Sequence, residues 1–378
     1  MLRRLVVRRQ RPLIHGLGRT SAHRHFRAVV ARSAKEAGDG PTAQLLNFDS
    51  VRDLPRQDPK ADVEVAVTHS DLNFKDGMIL LGQKGVVPQW PIVAGIDYAG
   101  HVVHSSSTLW KAGDRVVLTG NKAGQHFDGG YSERATCRAE WLIAPPMGRF
   151  ELAETMAIGT AGVTAAMCVH HLECAGEVKP SHGPVLVTGA AGGLGQVAIA
   201  LLAARGFEVI ASTGRQAALE THLRALGAAE VIGRLEPDTK PLSKQRWAGV
   251  IDAVGGSTLA AAIAQTAYRG AIASTGVASG GELLSTVYPF ILRGVRLLGV
   301  DSTLPWDLEG YPMERERWVA WQRERRLVWE LLAESLSPQA LALVTAETIG
   351  LEHVISYAPR ILKGETAGRV VVDVSGGA

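Results

Sequence analysis

Residues 189–195 read Gly-Ala-Ala-Gly-Gly-Leu-Gly. They stand between a short apolar run, Pro184–Thr188, and a helix-period pattern through Val197, Ala200, Leu201 and Ala204. A second apolar run, Glu208–Ser212, follows. Strand, glycine turn, helix, strand is the context in which a glycine-rich loop cradles a pyrophosphate. In such a loop Gly192 lets the backbone approach the phosphates and Gly195 lets the helix pack closely on the strand. The free N–H groups and partial positive charge of the helix start then face the phosphates. A strict G-x-G-x-x-G pattern would place glycine at 190, where Ala190 stands with Gly189 before it. The plain alternative is an ordinary glycine-rich turn.

The end of the second apolar run selects among dinucleotides. A site for NADH places Asp or Glu there, bonded to the ribose 2′-hydroxyl. This chain has Ser212-Thr213-Gly214-Arg215, with no acid. A guanidinium pairs with a 2′-phosphate, and the Ser212 and Thr213 hydroxyls can donate to it. The expected cofactor is therefore NADPH, with Arg234, just past a third strand at Glu230–Ile232, as a further contact. The alternative for Arg215 is a solvated first-turn residue of the next helix. Trp247–Val254, Gly270–Thr275 and Val295–Val300 continue the strand pattern. Gly276–Gly281, after the fifth strand, places backbone where the nicotinamide should lie.

These segments sit in a chain of 378 residues, 46% hydrophobic and 20% charged, long enough for about two domains. Residues 38–160 alternate short apolar runs (Val63–Val67, His101–Val103, Arg115–Leu118) with Gly, Pro and Asp turns and read as β-rich. Residues 161–302 alternate strand and helix patterns, the signature of a parallel sheet. Residues 303–378 open on a polar, Trp-rich helical stretch, Trp306 to Glu334, and close on a strand-like Arg369–Val374. Cys137, Cys168 and Cys174 form no disulfide framework and no four-cysteine zinc site. Cys168 and Cys174 are expected in the core. No membrane span is expected.

The net charge of +3 conceals an asymmetry. Residues 1–37 hold nine arginines and Lys35 against Glu36 alone, so the remainder is acidic. An Arg-rich leader with interspersed apolar residues reads as an organelle transit peptide, mitochondrial or alternatively plastid. The competing reading is a basic arm for nucleic acid or anionic lipid. The acidic remainder argues against nucleic acid as the partner.

Beyond the glycine loop, several motifs point to one family. They are Leu72–Asp76, Pro91–Gly100, Gly113–Gly120, Gly129–Glu133, Ile158–Ala165, Pro289–Ser302 and Gly364–Arg369. Together they resemble the quinone-oxidoreductase-like branch of the medium-chain dehydrogenase/reductase superfamily, and most of all its acrylyl-CoA reductase group, over about residues 42–376. The resemblance implies an α/β chain with a GroES-like β-rich catalytic domain plus a Rossmann doubly wound parallel sheet, and a homodimer. It implies NADPH-dependent reduction of acryloyl-CoA to propanoyl-CoA. By position it implies cofactor contacts from Phe74, Ala191, Gly192, Gly193, Leu194, Gly195, Thr213, Gly214, Arg215, Arg234, Val277, Ile291, Ser302 and Gly364. Phe74 departs from the tyrosine usual in the family, and Gly364 from an asparagine.

Zinc is not expected, because Asp97 follows Ile96 where a ligand would stand and no Cys–His set is nearby. Reduction of an enoyl thioester needs hydride at the β-carbon, stabilisation of the enolate and a proton at the α-carbon. The catalytic candidates are Asn73, for nicotinamide or substrate oxygen, then Lys75 and Asp76 on the loop facing the cleft. Asn73 as a turn cap and Lys75–Asp76 as a surface pair are the bland readings. Tyr98 is either an acid or a packing residue, and no proton donor stands out. Arg293, Arg296 or Arg369 are candidates for CoA phosphates. Two other functions fit the same fold: a quinone or small-enone reductase, and a cofactor-binding redox sensor without turnover.

Overall fold

The computed structural model describes residues 25–146, 148–237, 240–303, 307–308, 311–312 and 315–376. The basic residues from Arg3 to Arg24, and Trp306, lie outside them. In chain order the elements are β1 (Phe26–Ala31), α1 (Ala34–Ala37), β2 (Ala43–Phe48), β3 (Val63–Asp71), α2 (Phe74–Leu80), β4 (Ile92–Val93), β5 (Asp97–Ser105), β6 (Arg115–Thr119), β7 (Arg134–Cys137), α3 (Leu152–Cys174) and β8 (Val185–Val187). They continue with α4 (Gly193–Ala204), β9 (Val209–Ser212), α5 (Gln216–Ala225), β10 (Glu230–Ile232), β11 (Trp247–Asp252), α6 (Gly256–Gln265), β12 (Thr266–Ser274), α7 (Tyr288–Arg293) and β13 (Arg296–Gly299). The last are β14 (Asp307–Leu308), β15 (Tyr311–Pro312), α8 (Arg315–Ser335), α9 (Pro338–Val344), β16 (Thr345–Gly350), α10 (Val354–Leu362) and β17 (Arg369–Asp373).

Two six-stranded sheets organise the molecule. One is parallel, in the order β10-β9-β8-β11-β12-β13. That is the Rossmann order 3-2-1-4-5-6, in which a ligand lies at the carboxyl ends beside the first strand. Its inner strands β8, β9 and β11 are buried throughout, as a sheet covered on both faces requires. The other sheet runs β16-β17-β3-β5-β6, with β7 also paired to β3. In β3, Val63, Val65 and Val67 point inward and Glu64 and Ala66 are partly exposed, the alternation of a one-sided strand. Its partner β17 comes from the far end of the chain, so the last segment returns to the first unit.

Helix α3 joins the units and packs on both sheets. It is long and apolar enough to cross a bilayer, but 78% of its most apolar stretch is buried in the protein. It kinks at Gly159, which adopts φ 52°, ψ −164°.

One correction concerns the leader. The transit-peptide reading of residues 1–37 includes Phe26–Ala31. That segment is instead β1, paired with β2 and β4 and almost wholly buried, with Phe26 stacked on Phe48. Its apolar run outweighs the flanking arginines once a partner strand is available. A second correction concerns Cys174, expected in the core but exposed at the end of α3. Cys168 is buried as expected.

Candidate functional site

The glycine loop fulfils its expected geometry. Gly189 has φ 61°, and Gly192 is the exposed residue preceding α4. A Cβ on Gly195 would lie 2.5 Å from the Gly189 carbonyl oxygen and 2.7 Å from the Ala190 Cα, so only glycine allows the helix this close. The start of α4 thus presents N–H groups to the cleft with no side chain in the way. Ala190, in the place of the strict motif's second glycine, is fully buried.

At the carboxyl end of β9, Gly214 is overlain by Arg234: a Cβ there would meet the Arg234 Nε at 2.6 Å. Arg215 reaches the other way. Its Nη2 donates to the Thr366 carbonyl at 2.9 Å and its Nη1 to the Glu365 carbonyl at 3.5 Å, in the turn that follows Gly364. The Ser212 hydroxyl donates to the Gly233 carbonyl, and the Thr213 hydroxyl accepts from the Arg215 N–H. Arg215 and Arg234 thus follow the carboxyl ends of β9 and β10, with the Arg234 guanidinium over Gly214 and that of Arg215 on the 365–366 backbone. Of the remaining expected contacts, Val277 is 70% exposed beyond β12, Phe74 is 51% exposed at the start of α2, and Ser302 is buried against the Thr164 hydroxyl. Ile291 is exposed on α7.

Opposite the loop lies a buried polar network. Asn73 donates through Nδ2 to Asp71 at 2.7 Å and to Asp97 at 3.0 Å, and its Oδ1 accepts from Arg369 Nη1 at 3.1 Å. Arg369 also pairs with Asp71 and donates to the Ala157 carbonyl. Asp97 accepts from the Gly120 N–H at 2.9 Å and from the Thr160 N–H and hydroxyl at 2.6 and 2.5 Å. Burial and the charge of Asp97 push Asp71 well above the usual carboxylate range, against the pull of Arg369. A Cβ on Gly159 would stand 1.8 Å from Asp71 Oδ2, so the absence of a side chain there is what lets Asp71 sit against α3. The network also reaches the glycine loop. A Cβ on Gly193 would meet Arg369 Cδ at 2.4 Å, and the Gly368 N–H donates to the Ala191 carbonyl.

This geometry corrects several expectations. Asp76 does not face the cleft. It is fully buried, and its carboxylate accepts from the Asn73 and Ile96 N–H groups, capping α2. Burial and Asp97 raise its pKa to about 7. The Asn73 amide is spent on two carboxylates and an arginine, which makes it a linchpin of the wall rather than a free donor. Tyr98 is wholly buried. The three arginines suggested for CoA are engaged elsewhere: Arg293 with the Ala264, Thr266 and Ser243 carbonyls, Arg296 with Ala175 and Glu177, and Arg369 in the network. Lys75 does turn outward, and its Nζ donates to Gln125 Oε1 at 3.1 Å. Asp71, Thr160 and Gln125 went unnoticed in the sequence. Their only signal there is membership of the matched or neighbouring motifs, not residue type. Among the described residues, no group of three His, Cys, Asp or Glu side chains is placed to hold a metal ion.

A β-rich unit closed by the end of the chain, joined to a Rossmann sheet with its glycine loop at the cleft, defines a two-domain dehydrogenase/reductase. Comparison with known proteins is consistent with that class. The alcohol dehydrogenase GroES-like domain family matches residues 59–147, and the zinc-binding dehydrogenase family matches residues 193–311. Acrylyl-CoA reductase AcuI of Ruegeria pomeroyi is 42% identical over 93% of this chain and 99% of its own length. The yhdH oxidoreductase from Salmonella enterica, solved in complex with NADP, is 37% identical, with a TM-score of 0.81 over 92% of this chain and 99% of that one. Bacillus subtilis yhfP, solved with NAD bound, is 38% identical with the same TM-score and coverage. The chain belongs to the medium-chain dehydrogenase/reductase superfamily, in the quinone-oxidoreductase-like branch that contains the acrylyl-CoA reductases. These relatives are bacterial, which overturns the assignment to a mitochondrion or plastid.

Proposed function

We propose that the chain uses NADPH to reduce the C=C bond of a short enoyl thioester, acryloyl-CoA to propanoyl-CoA. The observation that carries this reading is the full-length similarity to an acrylyl-CoA reductase, in a chain where Arg215 follows β9 and Arg234 follows β10, with no acid at the end of β9. The residues present fit the cofactor. Gly192 and the start of α4 would hold the pyrophosphate, Thr213, Gly214, Arg215 and Arg234 the 2′-phosphate, and Phe74, Val277 and Ser302 would border the nicotinamide. When bound, the cofactor supplies a hydride to the β-carbon. The chain's own task is to orient the thioester and to stabilise negative charge on its oxygen. Lys75, a cation on the cleft wall, is suited to that oxygen; Asn73 acts by holding the wall, and Asp76 by capping α2.

A second reading, reduction of quinones or small enones, draws on YhfP of Bacillus subtilis, named a putative quinone oxidoreductase and 41% identical over 83% of this chain. Following NADPH oxidation with acryloyl-CoA, crotonyl-CoA and a quinone in parallel separates the two. Quinone turnover without acryloyl-CoA turnover refutes the first reading. We also propose a homodimer. Strand β13 is the free edge of the parallel sheet, and Val287, Ile291, Leu292 and Leu297 lie exposed on or beside it.

A further inference from the structure

The segment after β6 is a tight, anchored turn. Gly120 donates to the Ile96 carbonyl and to Asp97, Asn121 donates to the Thr303 carbonyl at 2.9 Å, and Gly124 to the Phe127 carbonyl at 2.8 Å. Asn121 and Lys122 are consecutive non-glycine residues with φ of 51° and 68°, a conformation that side chains rarely adopt. A Cβ on Gly124 would lie 2.8 Å from the Gly95 backbone, so the turn sits flush against the Pro91–Gly100 segment. Its first residues touch Thr303, next to Ser302, and its middle faces Lys75, next to Phe74. It therefore forms part of the wall between the two places where cofactor contacts are proposed.

Gln125 is the residue this turn presents to Lys75. Its amide does two separate things. The oxygen accepts from Lys75 Nζ at 3.1 Å, and the Nε2 donates to the Val86 carbonyl at 3.1 Å. The second bond fixes which way the amide points, so that its oxygen faces the ammonium. The neighbouring carboxylate, Asp76, is turned inward on two backbone N–H groups and does not compete. Burial, with the nearby Lys122 and Lys75, lowers the pKa of His126, the next residue of the turn.

We propose that Gln125 is a positioning residue for the reduction: its amide oxygen takes one N–H of Lys75 and thereby aims the other two at the thioester oxygen. The inference rests on the enoyl-thioester reading. Hydride adds two electrons at the β-carbon, the C=C π pair moves toward the carbonyl, and negative charge collects on the thioester oxygen against the Lys75 ammonium. That charge returns to the α-carbon as a C–H bond forms with a proton taken from water. An ammonium free to rotate away stabilises this charge less, and the loss falls on the chemical step.

The two halves of the amide make the test specific. Gln125→Met removes both bonds, whereas Gln125→Glu keeps an acceptor for Lys75 but cannot donate to Val86. Positioning through the oxygen predicts that Met lowers kcat by about 10-fold with the KM for NADPH unchanged, and that Glu stays within about 3-fold of the parent. It also predicts that Gln125→Met causes no further loss in a Lys75→Met background. A merely structural role, through Val86, predicts that Glu is impaired as much as Met and that the losses add; either result overturns the proposal. Melting temperatures and NADPH binding of each variant show that the fold and cofactor site persist. If Gln125→Met does not fold, the Glu variant and the Lys75→Met pair with and without Gln125→Glu decide the matter alone. A parent enzyme inert toward every enoyl thioester overturns the functional reading and the proposal together. An active parent matched by its Gln125→Met variant overturns only the positioning.

Discussion

Replacing Arg215 with alanine tests the cofactor assignment most directly. A hydrogen bond from a guanidinium to a phosphate is worth about 1.5–3 kcal/mol. In the structure this guanidinium is already engaged, on the Thr366 carbonyl at 2.9 Å and more weakly on the Glu365 carbonyl at 3.5 Å. Binding a 2′-phosphate exchanges at least part of those neutral bonds, worth about 0.5–1.5 kcal/mol, for the charged one. The net expected loss on truncation is therefore about 1–2 kcal/mol, or roughly 5- to 30-fold in the Kd for NADPH. NADH lacks the phosphate, so its Kd should change by less than about 2-fold, and discrimination between the two should narrow by nearly the whole amount. Isothermal titration of both cofactors into parent and variant measures this. An equal loss for NADPH and NADH would mean that Arg215 acts only by tying down the 364–367 turn. No loss for either would refute its place at the phosphate, and leave Arg234 to carry the selectivity.

Gly159→Ala would put a methyl group 1.8 Å from Asp71 Oδ2 in a backbone conformation suited to glycine; a loss of about 3–5 kcal/mol in unfolding free energy is expected in urea titration, the scale of a broken buried ion pair. Near-parent stability would show that the Asp71–Arg369 pair is dispensable. Burial raises the Asp128 carboxyl from 3.8 to about 6 although Arg56 and Val93 N–H groups bind it. The folded chain then holds this proton more tightly than the unfolded one, so its contribution to stability falls as pH rises from about 4 to 6, by about 2 kcal/mol. Asp128→Asn lacks that term, and its stability relative to the parent should improve across the same window; a relative decline would contradict the assignment. Leu297→Glu, on the free edge of the parallel sheet, should convert the proposed dimer to monomer in light scattering, and an unchanged mass would place the interface elsewhere.

The Rossmann unit was legible because its information is local. The strand at Glu230–Ile232 lies where the apolar pattern put it, β8 and β9 lie within theirs, and the glycines occupy fixed offsets from β8. The cofactor reading was equally local, since the residues proposed to hold a 2′-phosphate follow directly on β9 and β10. The buried polar network around Asn73 was not legible in the same way. Asn73 has the expected residue type, but its partners Asp97 and Arg369 are 24 and 296 residues away, and only the fold brings them together. Asp76 looked available because a sequence does not reveal that two N–H groups point at it. Phe26–Ala31 misled for the opposite reason: the arginine count around it was a stronger signal than six residues of β pattern, and the strand that covers it starts at Ala43.

The position of β17 also bears on how the protein is made. The strands of the parallel sheet lie between residues 185 and 299, a contiguous stretch that can close on itself as soon as it has been synthesised. The other sheet cannot. Its strand β3 is made early, yet the partners of its last residues, β17 for His69–Asp71 and Arg369 for Asp71, are made some 300 residues later. Until then the His69–Asp71 end of β3, beyond the stretch that β7 pairs, offers an open edge and Asp71 an unneutralised carboxylate, a state that invites pairing with other chains and gives chaperones something to hold. The half of the protein that leaves the ribosome first is thus the half that is finished last.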